Sequence, residues 1–162
     1  MEIRPHASFY NPLTQTPATT AQNVGKKLEA ANRVSAMVTL LTKAYLASGV
    51  TASETVQELM KDVDLHHITP REMAILSGKL HEEGVVSQLA GCSFVSIPIH
   101  TEPPIDPDVP IDLFEHYQKR MDVIQELARQ GEDESYALVV ASEVQDTLYR
   151  LAVFAAIYHK VG

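Results

Sequence analysis

The stretch HHITPREM, His66 to Met73, carries the densest set of local signals in the chain, and its reading decides the fold class. Thr69 suits a helix N-cap, where its side-chain oxygen accepts a hydrogen bond from an otherwise orphaned backbone N–H. Pro70 suits the first helical position, where a missing N–H costs nothing, and Glu72 stands three residues after the cap, able to reach back to it. Ile68 and Met73 then fall at the two positions of a hydrophobic staple. Between Ile68 and Met73 only Arg71 has no structural task. The helix so begun runs to about Glu83 with Met73, Leu76 and Leu80 inward. Gly84 stands where a left-handed residue ends a helix, and Val85 covers the last turn.

Working toward the N-terminus, Thr51-Ala-Ser-Glu54 has capping-box spacing and predicts a short helix with Val56, Leu59, Met60 and Val63 inward. Before it, Val24, Leu28, Ala31, Val34, Val38, Leu41 and Tyr45 recur at steps of three and four. This predicts a long amphipathic helix over about 20–47, stopped by Gly49. Residues 1–19 hold Pro5, Pro12 and Pro17 among polar residues and read as a flexible leader.

Toward the C-terminus, VVSQLAGCSFVSIPIH suggests a helical turn over 87–90 and an extended or β element over 93–99, since Phe94, Val95, Ile97 and Ile99 favour strand. Five of the nine prolines fall between Pro98 and Asp112, so 98–111 reads as a stiff crossover. Asp112 caps the next helix, with Glu115 at the box position; Phe114, Tyr117, Met121, Ile124 and Ala128 line one face, and Gly131 ends it. A last helix over about 133–160 follows, with Ala137, Ala141, Val144, Leu148, Leu151, Ala155 and Tyr158 on one face. Its end, LAVFAAIY (Leu151 to Tyr158), is apolar all round. Such a helix is either buried within its own chain or paired with another.

Composition narrows the function classes. Thirteen basic residues against twenty-one acidic ones give a formal charge of −8, and seven of the excess negatives lie between Glu102 and Glu134. A surface of that sign repels phosphate backbones and anionic lipid, which argues against nucleic acid and membrane as partners. Cys92 is the only cysteine, which excludes an intrachain disulfide framework and fits a reducing compartment, the cytoplasm. A chain of 162 residues suffices for one domain that buries about two-thirds of its unfolded surface.

Reactive constellations are not announced by spacing. His66 and His67 are neighbours whose side chains diverge, so they read as surface or capping histidines rather than metal ligands. Cys92 sits in a small-residue turn with no base marked nearby and reads as a buried or semi-buried thiol. Gly78-Lys79 lacks the remainder of a phosphate loop, and Pro110 and Ile111 spoil the calcium-loop spacing of Asp106, Asp108 and Asp112. The Pro-x-x-Pro spacings at Pro104 and Pro107 lack flanking basic residues, so the linker reading stands.

ITPREMAILSGKLHEEGVV resembles the helix-to-wing passage of winged helix-turn-helix proteins, in which a capped helix ends in Leu-x-Glu-Glu-Gly-Val before a β-wing. That resemblance implies a DNA-binding regulator. Arg71 and Lys79 against Glu72, Glu82 and Glu83 leave the helix net negative, whereas groove entry wants a basic surface. ITPREM with the following Leu and Gly is also similar to a helix start in short uncharacterised bacterial proteins, over about His66 to Phe94, which implies a bacterial origin and no activity.

The expectation is therefore a mainly α protein, a helical bundle of four to five helices with a short extended or β element after the third, forming one domain over 20–162. Its expected role is non-enzymatic: a cytoplasmic adaptor, assembly factor or export chaperone without cofactor, metal or small-molecule ligand. It is expected to bind a protein partner or a second copy through Leu151, Phe154, Ile157 and Tyr158. A winged-helix regulator is the alternative.

Overall fold

A computed structural model describes residues 17–159, and side chains from Val24 onward except that of residue 27. Residues 1–16 of the expected leader lie outside the described residues, and 17–19 already belong to the first helix. Six α-helices follow in order: α1 (Pro17–Ser48), α2 (Glu54–Met60), α3 (Pro70–Glu82), α4 (Gln88–Val95), α5 (Leu113–Arg129) and α6 (Ser135–Tyr158), with a 3₁₀ turn at Ile97–Ile99. The protein is mainly α, with six α-helices among the described residues where four to five were expected. Among the described residues no helix is long and apolar enough to cross a membrane.

The start of α3 is built as its sequence dictates. The Glu72 N–H donates to Thr69 Oγ1 at 3.0 Å and the Thr69 N–H to Glu72 Oε2 at 2.9 Å, closing the capping box. Ile68 and Met73 both lie in the core. At the other end Gly84 adopts φ +74°, and the N–H groups of Gly84 and Val85 donate to the carbonyls of His81 and Leu80. This left-handed closure satisfies carbonyls that the last turn would otherwise leave open. Gly49 and Gly131, likewise at positive φ, end α1 and α5.

The cap of α2 differs from expectation. Ser53, not Thr51, accepts from the Val56 N–H at 3.2 Å. Either hydroxyl can cap, and the register chosen is the one that buries Val56 and Met60, one turn apart, against the rest of the core.

The extended element expected over 93–99 is absent. Ser87 caps α4 by accepting from the Ala90 N–H, and Ala90, Ser93, Phe94 and Ile97 are buried at helical spacing. Val95 is 60% exposed and Ile99 74% exposed. Strand propensity of single residues reports a fit to a pleated, partnered surface, and no such surface is offered here. Instead α4 packs between α3 and α6. The one extended pairing among the described residues is an antiparallel bridge between Ile68 and Ile111, which ties the crossover to the entrance of α3.

Central to the packing is α6, which meets α1, α2, α4 and α5 through a stripe that includes Val144, Leu148 and Leu151, all buried. By contrast, α1 has no fully buried residue among those described: Val34, Val38 and Tyr45 are half-covered, while Val24, Leu28, Ala31 and Leu41, of the same periodic stripe, are exposed. Its 32 residues rise about 48 Å against about 36 Å for the 24 of α6, so α6 alone cannot cover its whole length.

Candidate functional site

The apolar end of α6 is shared between the core and a groove. Leu151 and Phe154 lie in the core, with the Phe154 ring edge-on to Tyr45 at 5.5 Å. Tyr158 is half-buried; its hydroxyl accepts from the Ala52 N–H at 3.0 Å and lies 3.3 Å from the Tyr45 hydroxyl. It pins the end of α6 to the α1–α2 junction. Ile157 is half-exposed. Of the four residues expected to meet a partner, two are therefore occupied by the chain's own core, and Phe154→Glu would test folding rather than association.

The other side of the same helix end is open. A groove of about 510 Å³ runs between α1 and α6, walled by Val34 and Val38 on one side and Ala152, Ala155 and Ala156 on the other, with Leu65 and Phe114 also lining it. The alanines create it: side chains ending at Cβ cannot fill the space between two helices, so the walls are apolar but incompletely packed. His66, His159 and Asp64 line it as well. His66 is held there by stacking on Phe114, ring centres 5.1 Å apart, and by a 3.0 Å contact from Nδ1 to Asp112 Oδ2 at the cap of α5. That gives His66 a positioning task; His67 is exposed.

Reading the sequence missed this groove because its lining comes from four separate regions of the chain. The small-residue pattern Ala152, Ala155, Ala156 was the only local trace.

A second, smaller cleft of about 250 Å³ opens between the crossover and α5, lined by Ile105, Ile111, His116, Lys119 and Arg120 among others. Behind it His100 Nδ1 lies 3.1 Å from His116 Nε2, with the rings stacked 5.4 Å apart. Burial, and then the Arg120 charge, push His100 down to about 3 and His116 down to about 4. Both imidazoles are thus neutral near pH 7, one donating to the other. Tyr117 packs edge-on to both rings, and its hydroxyl, 3.0 Å from Ser93 Oγ, is pushed up by burial. The pair had no signature in the sequence, since its members stand sixteen positions apart across a proline-rich turn.

Cys92, expected buried or semi-buried, is exposed on the outer side of α4, because the helix turns 90, 93, 94 and 97 inward instead. Among the described residues no group of three or more His, Cys, Asp or Glu side chains is placed to hold a metal ion.

Arg71, without a task in the sequence, pairs with Asp108 through Nε at 2.6 Å and Nη2 at 3.2 Å, and its N–H donates to the Pro107 carbonyl. The crossover is clamped to the first turn of α3. Within residues 85–99, where the winged-helix resemblance places the wing, lie instead α4 and the 3₁₀ turn.

The geometry defines a class, a helical protein with an apolar inter-helix groove and a stacked histidine pair. No family model matches the chain, and comparison with curated proteins and with solved structures finds no match either.

Proposed function

We propose that this is a non-enzymatic protein–protein interaction protein of the adaptor, assembly-factor or export-chaperone kind, acting in the cytoplasm. On this reading it receives an apolar helical or extended segment of a partner in the groove between α1 and α6. The observation that carries the proposal is the groove itself, with Val34, Val38, Ala155 and Ala156 forming apolar walls around about 510 Å³. Helix-in-groove recognition uses such a surface, where small residues admit the close approach of another backbone. The exposed Cys92 thiol suits a reducing compartment.

DNA binding draws less support. Arg71, one of the two basic residues of α3 apart from histidine, is engaged by Asp108, and the segment after α3 is helical.

The test is affinity capture from the native host's lysate with the wild type and with Ala156→Arg. Ala156 is exposed at the groove wall, so the arginine obstructs the groove without disturbing the core. A partner held by the wild type and lost by the variant, at unchanged thermal stability, is the expected result. Equal capture by both proteins would remove the groove from the reading, and a gel shift on random duplex at low salt would favour the DNA-binding regulator instead.

A further inference from the structure

On its α1 side the groove is open toward the start of the chain. Ala31, Val34 and Val38 line it. On the same face of α1, at steps of three and four, Leu28 and Val24 carry the apolar line onward toward Pro17, and they are 63% and 53% exposed. An apolar track thus runs from Val24 to Val38, about 21 Å along the helix axis, with its inner end in the groove. Its outer end lies about 10 Å from Pro17, where α1 begins.

What fits that track is written in the sequence before α1. Met1, Ile3, Pro5, Ala7 and Phe9 alternate strictly with Glu2, Arg4, His6 and Ser8. In an extended chain successive side chains point to opposite sides, so such a segment has one apolar edge and one polar edge. A helical period would scatter the same residues around the axis. Pro5 also has no backbone N–H, so laying the segment against side-chain walls strands no donor there.

The lengths agree. In extended form Ile3 and Phe9 stand about 20 Å apart, close to the distance from Val38 to Val24. Residues 10–16 contain Asn11-Pro12, a turn-forming pair, and can span up to about 24 Å, more than enough to reverse the chain beside Pro17. Laid antiparallel on α1, Phe9 meets Val24 and Leu28. Ile3 then enters the groove beside Val34 and Val38, opposite Ala155 and Ala156, whose short side chains leave it room. Arg4 and His6, on the polar edge, face solvent.

We propose that residues 1–9 of this chain are the groove's own occupant, folded back along Val24 and Leu28 with Ile3 seated against Ala155 and Ala156. A segment tethered to its site binds at a high effective concentration, so it holds the groove until a partner's segment displaces it. The inference rests on the reading of the groove as a surface for apolar segments, and the identity of the partner does not enter it.

The test is disulfide trapping in the full chain carrying Cys92→Ser, which removes the only cysteine. In an oxidised-glutathione buffer, Ile3→Cys is expected to close an intramolecular bond with Ala156→Cys on the order of tenfold faster than with Val24→Cys. A tether without a seat gives the opposite order, because Val24 is nearer the point of attachment. Phe9→Asp should slow the closure to Ala156→Cys. Val24 and Ala156 are exposed, so these variants should keep wild-type circular dichroism. Chymotrypsin gives a reading without new cysteines: the wild type should be cut after Phe9 and Tyr10 on the order of tenfold more slowly than Ala156→Arg, since cleavage follows the undocked population. Faster closure to Val24→Cys, disulfide-linked dimers in place of the intramolecular bond, or equal cutting of the two proteins would each overturn the proposal. Partner capture that is lost with Ala156→Arg would survive any of these results, whereas slow cutting of the wild type with equal capture would remove the partner and keep the docked segment.

Discussion

Thr69 and Gly84 bracket α3 and act on the backbone groups at its two ends. The Thr69 hydroxyl satisfies the Glu72 N–H, so Thr69→Ala should lower stability by about 1 kcal/mol. A Cβ at Gly84 would meet nothing within 4 Å, so Gly84→Ala tests the φ of +74° without a steric contribution. Its cost should be about 1–2 kcal/mol, the penalty of a left-handed L-residue. Urea unfolding of both variants measures these losses, and no loss at Gly84 would mean that the turn relaxes. Such residues were legible in the sequence because caps and stops are short-range chemistry. Arg71 and His66 were not: their partners Asp108 and Asp112 lie 37 and 46 positions away, and only folding brings them within 3 Å.

At the scale of elements, periodicity located α1, α3, α5 and α6 to within a few residues but misassigned α4. The run SFVSIPI is rich in strand-favouring residues, yet its burial follows a helical face. Phe94→Ala should therefore cost about 3–5 kcal/mol, the range for removing a fully buried aromatic ring. Its neighbour on the outer face, Val95→Ala, should stay within about 0.5 kcal/mol. Thermal melts of the two variants separate the arrangements, since equal losses would contradict the helical placement. The stripe of α1 was read as the apolar side of a long amphipathic helix, and only part of that side is covered. A stripe says which side of a helix is apolar, and the length of the neighbouring helix says how much of that side is covered.

For the whole molecule, the stacked histidine pair links folding to pH. His100 and His116 are held down to about 3 and about 4, below the unfolded value of about 6.5. Between those values the unfolded chain binds protons that the folded chain does not. The pair's contribution is thus fully present above about pH 6.5 and declines as pH falls toward 4. Carboxylates hardly titrate above pH 5, so urea midpoints at pH 7.5 and 5.5 should fall for the wild type and fall less for His116→Gln. Parallel slopes would show that other groups govern the dependence. By itself the sequence determined the mainly helical class, most helix boundaries, the caps and the acidic balance, because each depends on residues within a turn or two or on a simple count. Only the tertiary structure decided that Leu151 and Phe154 serve the core, that alanines of α6 open a groove against α1, and that two histidines meet behind a cleft. These depend on which helices become neighbours, and that is fixed by the joint burial of side chains far apart in the chain.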